Sequence, residues 1–579
     1  MSRLKVIKAF KNIFSFLCAA SIGVVYFFGI KFVFLILGFG LIIIVLEVYF
    51  NKVKHLEYIE TRLKNWDQKN EKEYDKESYQ KLVNSNLYNS TKIQKLTQQT
   101  NIDLNIEDIF KKIDYTFTNS GEEFLYNNLN NICLDLNELE DRKKSINALE
   151  TNEQLRESIL RELIQIGYTK ENHCMEILDN TKEESTKQYY ISIVFGFSNL
   201  IFLLSIFSNP SFIIALIFSL LFSSIYYYYQ KDYVTSNLNG INYANNLISS
   251  STRLLNLNIE ELEINKTELK QILTSTKKAH KKMRKIMTFN SSNGVMLEQK
   301  MMIDYLNIFT QRQYILFYQV KSFLKDNRED IKQLYYLVGK LDTYISIVAM
   351  RSNYKCSTPQ FEEQGGLITN SYYPLIDNPV KNNINISEIG IIVTGSNMAG
   401  KSTFIRSIAF NVLVAQSIVT TFADEYQSKI FKIFTSISVS DKTTEGKSQY
   451  LSEINALKDM VDGLNEETPS LCIVDEILSG TNATEKISIS VSILDFISKN
   501  NGIPITTTHD IEIAKMMDQF KQYHFSEDII DNKLVFNYLL HTGISKTTNA
   551  IELLKYVGYN DKIYNDSIEI AKNISKLKE

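Results

Sequence analysis

Proline and cysteine are scarce in this chain of 579 residues, and neither sign of charge dominates it. Because only six prolines occur, few breakers interrupt the long amphipathic stretches, which predicts a helix-rich protein around any sheet. The five cysteines are scattered and never form a C-x-x-C pair. A disulfide framework or a zinc site is therefore not expected, and a reducing compartment is favoured. The net charge of -3 gives no overall attraction to polyanions, so a nucleic-acid surface would have to be a local patch.

Residues 389–406 carry the strongest chemical pattern. Apolar residues 391–393 predict a buried strand, and an apolar helical pattern begins near Lys401. Between them lies Gly395-x-x-x-x-Gly400-Lys401-Ser402, the spacing of a phosphate-binding loop, which an ordinary strand-to-helix turn does not require. Lys401 is expected to reach the β- and γ-phosphates of ATP, and Ser402 to ligate Mg²⁺. The predicted nucleotide-binding residues of the loop are Gly395, Ser396, Asn397, Met398, Ala399, Gly400, Lys401, Ser402 and Thr403.

Two later stretches each predict a strand that ends at a reactive side chain. Apolar residues 471–474 precede Asp475 and Glu476, and residues 503–508 precede His509. Asp475 is expected to join Ser402 in the Mg²⁺ shell, Glu476 to polarise the attacking water, and His509 to contact the γ-phosphate. Strands before Asp-Glu also arise by chance, and a lone histidine is usually structural; their positions after a phosphate-binding loop favour the functional interpretation. The predicted catalytic residues of an ATP hydrolase are Lys401, Glu476 and His509.

Four apolar segments are long enough to cross a bilayer, namely residues 13–29, 32–50, 190–207 and 212–229. Basic residues flank the outer ends of each pair, and tyrosines crowd the outer ends of the second pair, as at a membrane–water interface. The pattern predicts two transmembrane hairpins in the plasma membrane, with both termini and the ATPase domain in the cytoplasm. Buried hydrophobic hairpins of a soluble protein are the alternative.

A basic run lies at residues 277–285, within a polar helical stretch. Its members are Lys277, Lys278, His280, Lys281, Lys282, Arg284 and Lys285. Such a run can bind DNA phosphates or anionic lipid head groups. A solvated helix face is the alternative, because charge runs commonly serve only that purpose.

These motifs together resemble the MutS family of DNA mismatch-repair ATPases, within the ABC class. The core T-G-S-N-M-A-G-K-S-T-F-I-R is similar to the family's phosphate-loop motif, and residues 441–453 resemble the segment that reaches the ATP of the other subunit. The resemblance implies a homodimer with composite ATP sites, in which Gly446 and Ser448 contact the partner's nucleotide. Residues 110–121 resemble the opening of the family's helical core domain, and residues 543–558 its C-terminal dimerisation segment.

Several positions depart from the family pattern. Residues 1–100 leave no room for the family's domain that reads mismatches, so binding of some other DNA structure is expected in preference to mismatch-specific repair. Ser396 replaces the usual Pro, and Leu478-Ser479 replaces the usual Gly-Arg, which puts the signal between subunits in doubt. Pro379 stands where the family often has an aromatic that stacks on adenine, so weak affinity for the base is expected.

The expected fold is an α/β P-loop ATPase domain of the ABC class, preceded by an all-α lever and core domain that transmembrane hairpins interrupt. The expected function is that of a membrane-anchored MutS-like ATPase that uses ATP and Mg²⁺, dimerises and binds DNA of unknown structure. The expectation of DNA binding comes from the family resemblance alone. An ABC-type transport or membrane-remodelling ATPase, or a membrane scaffold without a DNA role, is the alternative. The predicted domains are a transmembrane hairpin (1–54), a polar linker (55–101), the first part of the helical core (102–188), a second transmembrane hairpin (189–230), the second helical part (231–350), the ATPase domain (351–540) and a C-terminal dimerisation segment (541–579).

Overall fold

The computed structural model describes the chain in two compact units. The helical unit comprises residues 1–69, 153–257 and 267–334, and the sheet unit comprises residues 70–152, 258–266 and 335–579. The description leaves out residues 1–2, 29–32, 70–71, 73, 75–81, 83–91, 170–173, 180–183, 258–261, 263, 291–296, 364, 387–388, 397–398, 438–448, 479–481, 531–532, 546–550, 552–553, 555–557 and 579.

Helices predominate up to residue 353, as the scarcity of proline predicts. They are α1 (Arg3–Phe28), α2 (Val33–Lys64), α3 (Gln98–Asp103), α4 (Ile106–Ile113), α5 (Asn119–Asn130), α6 (Leu136–Thr151), α7 (Glu153–Ile166), α8 (Cys174–Asp179), α9 (Glu184–Ser205), α10 (Phe212–Leu254), α11 (Lys266–Asn290), α12 (Leu297–Thr310), α13 (Arg312–Asp326) and α14 (Arg328–Asn353). Strands β1 (Ile93–Lys95) and β2 (Asn131–Cys133) form a small antiparallel pair in this part of the chain.

The remainder of the chain alternates strands and helices. The strands are β3 (Gln360–Phe361), β4 (Gly366–Ser371), β5 (Asn382–Asn385), β6 (Ile391–Thr394), β7 (Glu425–Ser428), β8 (Lys432–Ser436), β9 (Ser470–Asp475), β10 (Gly502–Thr508), β11 (Lys521–Ile530) and β12 (Lys533–Thr542). The helices are α15 (Lys401–Ile418), α16 (Gln449–Asp462), α17 (Ala483–Lys499), α18 (Ile511–Met516) and α19 (Asp561–Lys578). The predicted combination of an α/β domain with a helical part is therefore confirmed in outline.

The main sheet of the sheet unit has six strands in the order β12-β11-β6-β10-β9-β8. All neighbours pair in parallel except β11 and β12, which form an antiparallel edge. Central strands β6 and β10 are buried along their whole length, which explains their continuous apolar or Thr-rich sequences. Thr508 lies opposite Thr394, and Thr507 lies opposite Asp475, so the carboxyl ends of three strands meet at one edge.

A buried carboxylate fixes the polar motif at residues 114–121 in the same unit. Asp342 of α14 accepts hydrogen bonds from the N–H of Phe117 at 3.0 Å and from the N–H and hydroxyl of Thr118 at 2.8 and 2.6 Å. Thr118 in turn caps α5 by accepting from the N–H of Gly121. A β-carbon on Gly121 would lie 2.1 Å from the Asp342 carboxylate. The glycine is therefore required by a close approach of side chain to backbone.

In the helical unit, the second apolar segment forms the antiparallel pair α9–α10. The turn between the helices contains Asn209 and Pro210, and the Asn209 side chain accepts from the N–H of Ser211 at 3.0 Å. This turn falls where the sequence predicts the break between two spans. Helix α10 continues to Leu254, about 25 residues beyond the apolar stretch. At 1.5 Å per residue, the whole helix is roughly 60 Å long.

Only this pair supports the membrane prediction. Over the described residues, two helices are long and apolar enough to cross a bilayer, and they are α9 and α10. Their apolar side chains are largely exposed, for example Phe197 at 60%, Phe222 at 55% and Tyr229 at 80%. Helices α1 and α2 pack against each other and share an ion pair between Lys11 and Glu47, but they are not among the candidate spans. The prediction of four transmembrane helices is thus unsupported, and two candidates remain.

Candidate nucleotide-binding site

The loop between β6 and α15 has the backbone that its glycines predict. Gly395 has φ +133° and Gly400 has φ +92°, a region that favours glycine. A β-carbon on Gly395 would lie 2.7 Å from the carbonyl oxygen of Phe525. Gly400 is the N-cap of α15, an 18-residue helix whose first N–H groups lack partners within the helix. The loop therefore leads into a helix N-terminus, where an anion is stabilised.

Lys401 is buried beneath this loop with 1% of its surface exposed. Its ammonium donates a hydrogen bond to the carbonyl oxygen of Gly395 at 2.6 Å. It also lies 3.0 Å from Nε2 of His509 at the end of β10. Since a buried ammonium needs polar partners, these contacts hold Lys401 at the strand ends.

The acidic residues at the carboxyl end of β9 lie at the same edge of the sheet. Asp475 accepts a hydrogen bond from the hydroxyl of Thr507 on the neighbouring strand. Oε1 of Glu476 lies 2.8 Å from Nε2 of His509. The backbone N–H of Glu476 donates to the carbonyl oxygen of Thr507 at 3.2 Å. Three predicted catalytic residues thus form one chain of contacts, from Lys401 through His509 to Glu476.

The electrostatics of this chain keep Glu476 ionised. The hydrogen bond with His509 lowers the pKa of Glu476 below its ordinary value; burial opposes this effect, and the charges of His509 and Lys401 add to it. Glu476 also has φ +51°, and Leu478 has φ +55°. Left-handed backbone at two non-glycine residues so close together is costly, and such strain concentrates at functional sites.

A cavity of about 460 Å³ adjoins the first turn of α15. Ser402 and Thr403 line its phosphate-loop end, while Pro379, Phe525 and Tyr538 contribute apolar surface. The Tyr538 ring comes from β12, and its Cδ1 lies 3.0 Å from where a β-carbon of Gly400 would stand. The remaining lining residues are Ser371, Tyr372, Tyr373, Ile376, Asp377, Asn378, Val380, Asn382, Gly400, Phe404 and Ser407.

Tyr538 and Phe525 were not predicted from the sequence as site residues. Pro379, which stands where the MutS family often has an adenine-stacking aromatic, lines the cavity. Tyr538 on β12 supplies an aromatic ring to the same cavity. Asn382 positions that strand, because its side chain donates to the carbonyl of Tyr538 at 3.0 Å and accepts from the N–H of Leu540 at 2.8 Å. The apolar and aromatic residues of β12 were the available signal, yet they do not show which ring reaches the loop.

The remaining predicted residues divide into two groups. The backbone carbonyl oxygen of Ser396 accepts from the N–H of Ala399 at 3.2 Å within the loop, and Ser402 and Thr403 are half-buried in the first turn of α15. The other predicted residues are Asn397, Met398, Gly446 and Ser448, and they lie outside the described residues.

A parallel sheet, a glycine loop at a helix N-terminus, a buried lysine and a strand-end Asp-Glu pair define the class of P-loop nucleotide-binding proteins. Comparison with known families narrows this class. Residues 391–575 match the family model of MutS domain V, which is an ATPase domain. This part of the chain matches MutS domain V, and the resemblance to the MutS family that its motifs predict is confirmed there.

Curated relatives agree with this assignment. The chain is 27% identical over 287 residues to the DNA mismatch repair protein MutS of Clostridium botulinum, strains Loch Maree and Hall. It is 26% identical over 285 residues to the protein of the same name from Clostridium novyi strain NT. These matches cover 46% of this chain and 30–31% of each relative. The chain thus matches less than a third of the length of these relatives.

Proposed function

We propose that this chain is an ATP hydrolase of the MutS type whose nucleotide site is built around Lys401, Glu476 and His509. The observation that carries the proposal is their convergence: His509 Nε2 lies 3.0 Å from the Lys401 ammonium and 2.8 Å from the Glu476 carboxylate. An ammonium for phosphate charge and an ionised carboxylate for water activation are what phosphoryl transfer requires of a protein.

One residue at the start of α15 and one at the end of β9 suit Mg²⁺. Ser402 and Asp475 supply a hydroxyl and a carboxylate, the oxygen ligands that this hard cation prefers. No group of three or more His, Cys, Asp or Glu side chains converges as a metal site within the described ranges. This agrees with an ion that takes its remaining ligands from phosphates and water. When bound, Mg²⁺ would neutralise charge on the transferred phosphoryl group.

Groups of the chain itself would bind the phosphates, activate the attacking water and bind the purine ring. The N–H groups at the start of α15 and the Lys401 ammonium bind the phosphates, with Lys401 exchanging the Gly395 carbonyl for phosphate oxygens. Glu476 accepts a hydrogen bond from the attacking water, and His509 orients that carboxylate. The purine ring occupies the cavity beside Tyr538, whose exposed face offers a stacking surface.

We further propose that the active form is a homodimer in which Gly446 and Ser448 complete the partner's site. The family resemblance of the segment that contains Gly446 and Ser448 supports this proposal. A second support is that Lys401, Glu476 and His509 include no arginine to neutralise the transferred group. Mixing an inactive Lys401→Ala subunit with an inactive Ser448→Ala subunit tests it. Partial recovery of hydrolysis supports a shared site, and no recovery contradicts it.

Membrane anchoring through α9–α10 is the second part of the proposal. The two helices expose a continuous apolar surface, and their polar groups face each other: Ser198 and Ser219 are 3.0 Å apart, and Asn199 accepts from Ser219 at 2.6 Å. Inward polar groups and an outward apolar surface suit a lipid environment. The plasma membrane, with both chain ends in the cytoplasm, is the location that we propose.

DNA is the proposed client, on the strength of the resemblance to mismatch-repair ATPases. The test is steady-state ATP hydrolysis in lipid nanodiscs without DNA and with perfect duplex, mismatched duplex, branched DNA or single strand, at two salt concentrations. Stimulation that salt weakens supports the DNA proposal. Hydrolysis that no DNA alters contradicts it and favours a membrane-remodelling role for the same ATPase.

A further inference from the structure

Helices α12 and α13 form a hairpin that lies against α9–α10 within the helical unit. In the middle of α12, Asp304 lies against the hydroxyl of Tyr227 at 2.8 Å and the ammonium of Lys231 at 3.1 Å. At its end, the amide of Gln311 donates to the carbonyl of Ser223 at 3.3 Å. From Asp304 to Gln311 the contacts proceed toward the C-terminal end of α12, and on α10 they proceed toward its N-terminal end, from Lys231 to Ser223. The two helices are therefore antiparallel. The helix therefore runs from the outer end of the apolar pair toward its middle.

Helix α13 returns in the opposite direction along α10. The hydroxyl of Tyr314 donates to the carbonyl of Tyr227 at 2.7 Å, and the two rings stack with centroids 5.0 Å apart. Further along, the ammonium of Lys321 donates to the hydroxyl of Tyr233 at 2.6 Å. The reversal occurs at Gln311, whose φ of +50° breaks the helix.

A hydrogen bond and a close backbone approach join the turn of this hairpin to the apolar pair. The amide of Asn199, itself fully buried, donates to the carbonyl of Phe309 at 2.9 Å. Gly196 allows the approach, because a β-carbon there would lie 2.5 Å from the carbonyl oxygen of Thr310. Gln311 is 1% exposed. The free backbone groups of the broken helix are therefore covered by protein, which is the condition for non-helical backbone at membrane depth.

The depth of the turn follows from α10. Ser223, which the turn contacts, lies six residues before Tyr229, the last tyrosine of the aromatic end. At 1.5 Å per residue this is about 9 Å inside that end. On the outward side of α12, Tyr305 is 66% and Leu306 is 56% exposed. Apolar side chains of the hairpin thus continue the exposed apolar surface of the pair.

We infer that α12–α13 is a re-entrant hairpin that dips into the cytoplasmic leaflet beside α9–α10, with lipid acyl chains against Tyr305 and Leu306. Asp304 and Lys231 then lie at head-group level. This inference rests on the membrane anchoring proposed above and adds a lipid-contacting element that no apolar run in the sequence marks.

Fluorescence quenching by brominated lipids tests the inference, because Trp66 is the single tryptophan of the chain. In a Trp66→Phe background, a tryptophan is introduced at one position at a time in the full-length protein in phosphatidylcholine vesicles. Leu306→Trp reports the hairpin, and Leu200→Trp, which is 44% exposed on α9, reports the pair. Phe496→Trp, 48% exposed on α17 of the sheet unit, is the aqueous control.

The expected result is deep quenching at Leu200→Trp, shallow quenching at Leu306→Trp from bromine near the head group, and none at Phe496→Trp. If Leu200→Trp is quenched while Leu306→Trp behaves like the control, the re-entrant hairpin is refuted and the membrane anchor stands. If neither is quenched, the anchor itself is refuted together with the hairpin.

A second variant tests the contact that holds the hairpin in place. Gly196→Val directs bulk at the Thr310 carbonyl, so quenching at Leu306→Trp should be lost while quenching at Leu200→Trp persists. Val194→Ile adds a methylene on the exposed side of the same helix and should change neither signal. Undiminished quenching at Leu306→Trp in the Gly196→Val protein would overturn the proposed packing.

Discussion

Replacing Glu476 by glutamine is the sharpest test of the catalytic site. The substitution keeps the size of the side chain and an oxygen that can contact His509, now 2.8 Å away, but it removes the charge that polarises water. General-base catalysis contributes about 10²- to 10⁴-fold in rate. Glu476→Gln should therefore lower kcat by about that factor, equivalent to about 3–5 kcal/mol of transition-state stabilisation.

Binding of nucleotide should survive this change, because Lys401 and the start of α15 remain. The assay is phosphate release under saturating ATP, paired with affinity for a fluorescent ATP analogue. Glu512→Gln, an exposed carboxylate on α18 outside the site, is the matched control and should retain full activity. Hydrolysis by Glu476→Gln at the rate of the unmodified protein would show that another group is the base.

The pH dependence of the rate gives an independent check on the same residue. Because the hydrogen bond with His509 lowers the pKa of Glu476 below its ordinary value of 4.5, the carboxylate remains charged throughout neutral and mildly acidic conditions. The acid limb of the kcat profile should therefore not come from Glu476 above about pH 5. A limb that lies in that range and disappears in Glu476→Gln would contradict the lowered pKa.

Three further predictions concern binding and stability. Lys401→Ala removes the buried ammonium and should abolish measurable ATP binding by calorimetry, whereas the exposed Lys499→Ala should bind normally. Tyr538→Ala removes the ring beside the phosphate loop and should weaken ADP binding by about 2- to 10-fold, since an aromatic contact contributes about 0.5–1.5 kcal/mol; Tyr559→Ala, an exposed tyrosine away from the cavity, should have no effect, and equal affinities would remove Tyr538 from the site. Burial raises the pKa of Glu123 to about 7. Between about pH 4.5 and 7 the folded state therefore retains a proton that the unfolded chain releases, and the contribution of Glu123 to the free energy of unfolding falls as the pH rises. Glu123→Gln should remove this part of the pH dependence in thermal unfolding measured on both sides of that range, and an unchanged difference in melting temperature would refute the assignment.

The elements around the phosphate loop could be predicted because their signals are local. A buried strand, two glycines at fixed spacing and a lysine fall within a dozen residues, and each has a direct backbone or charge reason. The break at Asn209-Pro210 was predictable for the same reason, since the dipeptide itself stops a helix.

The membrane prediction is supported in part, because apolar length and composition predict candidate spans without showing what surrounds them. The second pair keeps its exposed apolar surface in the structure, but the first pair is not among the candidate spans of the described residues. The hairpin α12–α13 shows the opposite case. Its sequence contains Lys, Asp, Gln and Arg, so no apolar run marks it, and its relation to α9–α10 is visible only through contacts such as that of Asn199 with Phe309.

The sequence by itself determined the chemistry of the nucleotide loop and the MutS resemblance, because short-range spacing encodes both. Only the tertiary structure decided that Lys401 and His509, 108 residues apart, meet within 3.0 Å, and that Tyr538 reaches Gly400 from the edge strand. The physical reason is that parallel strands bring distant residues to one edge through their register. A pattern read along the chain contains no information about which strands are neighbours.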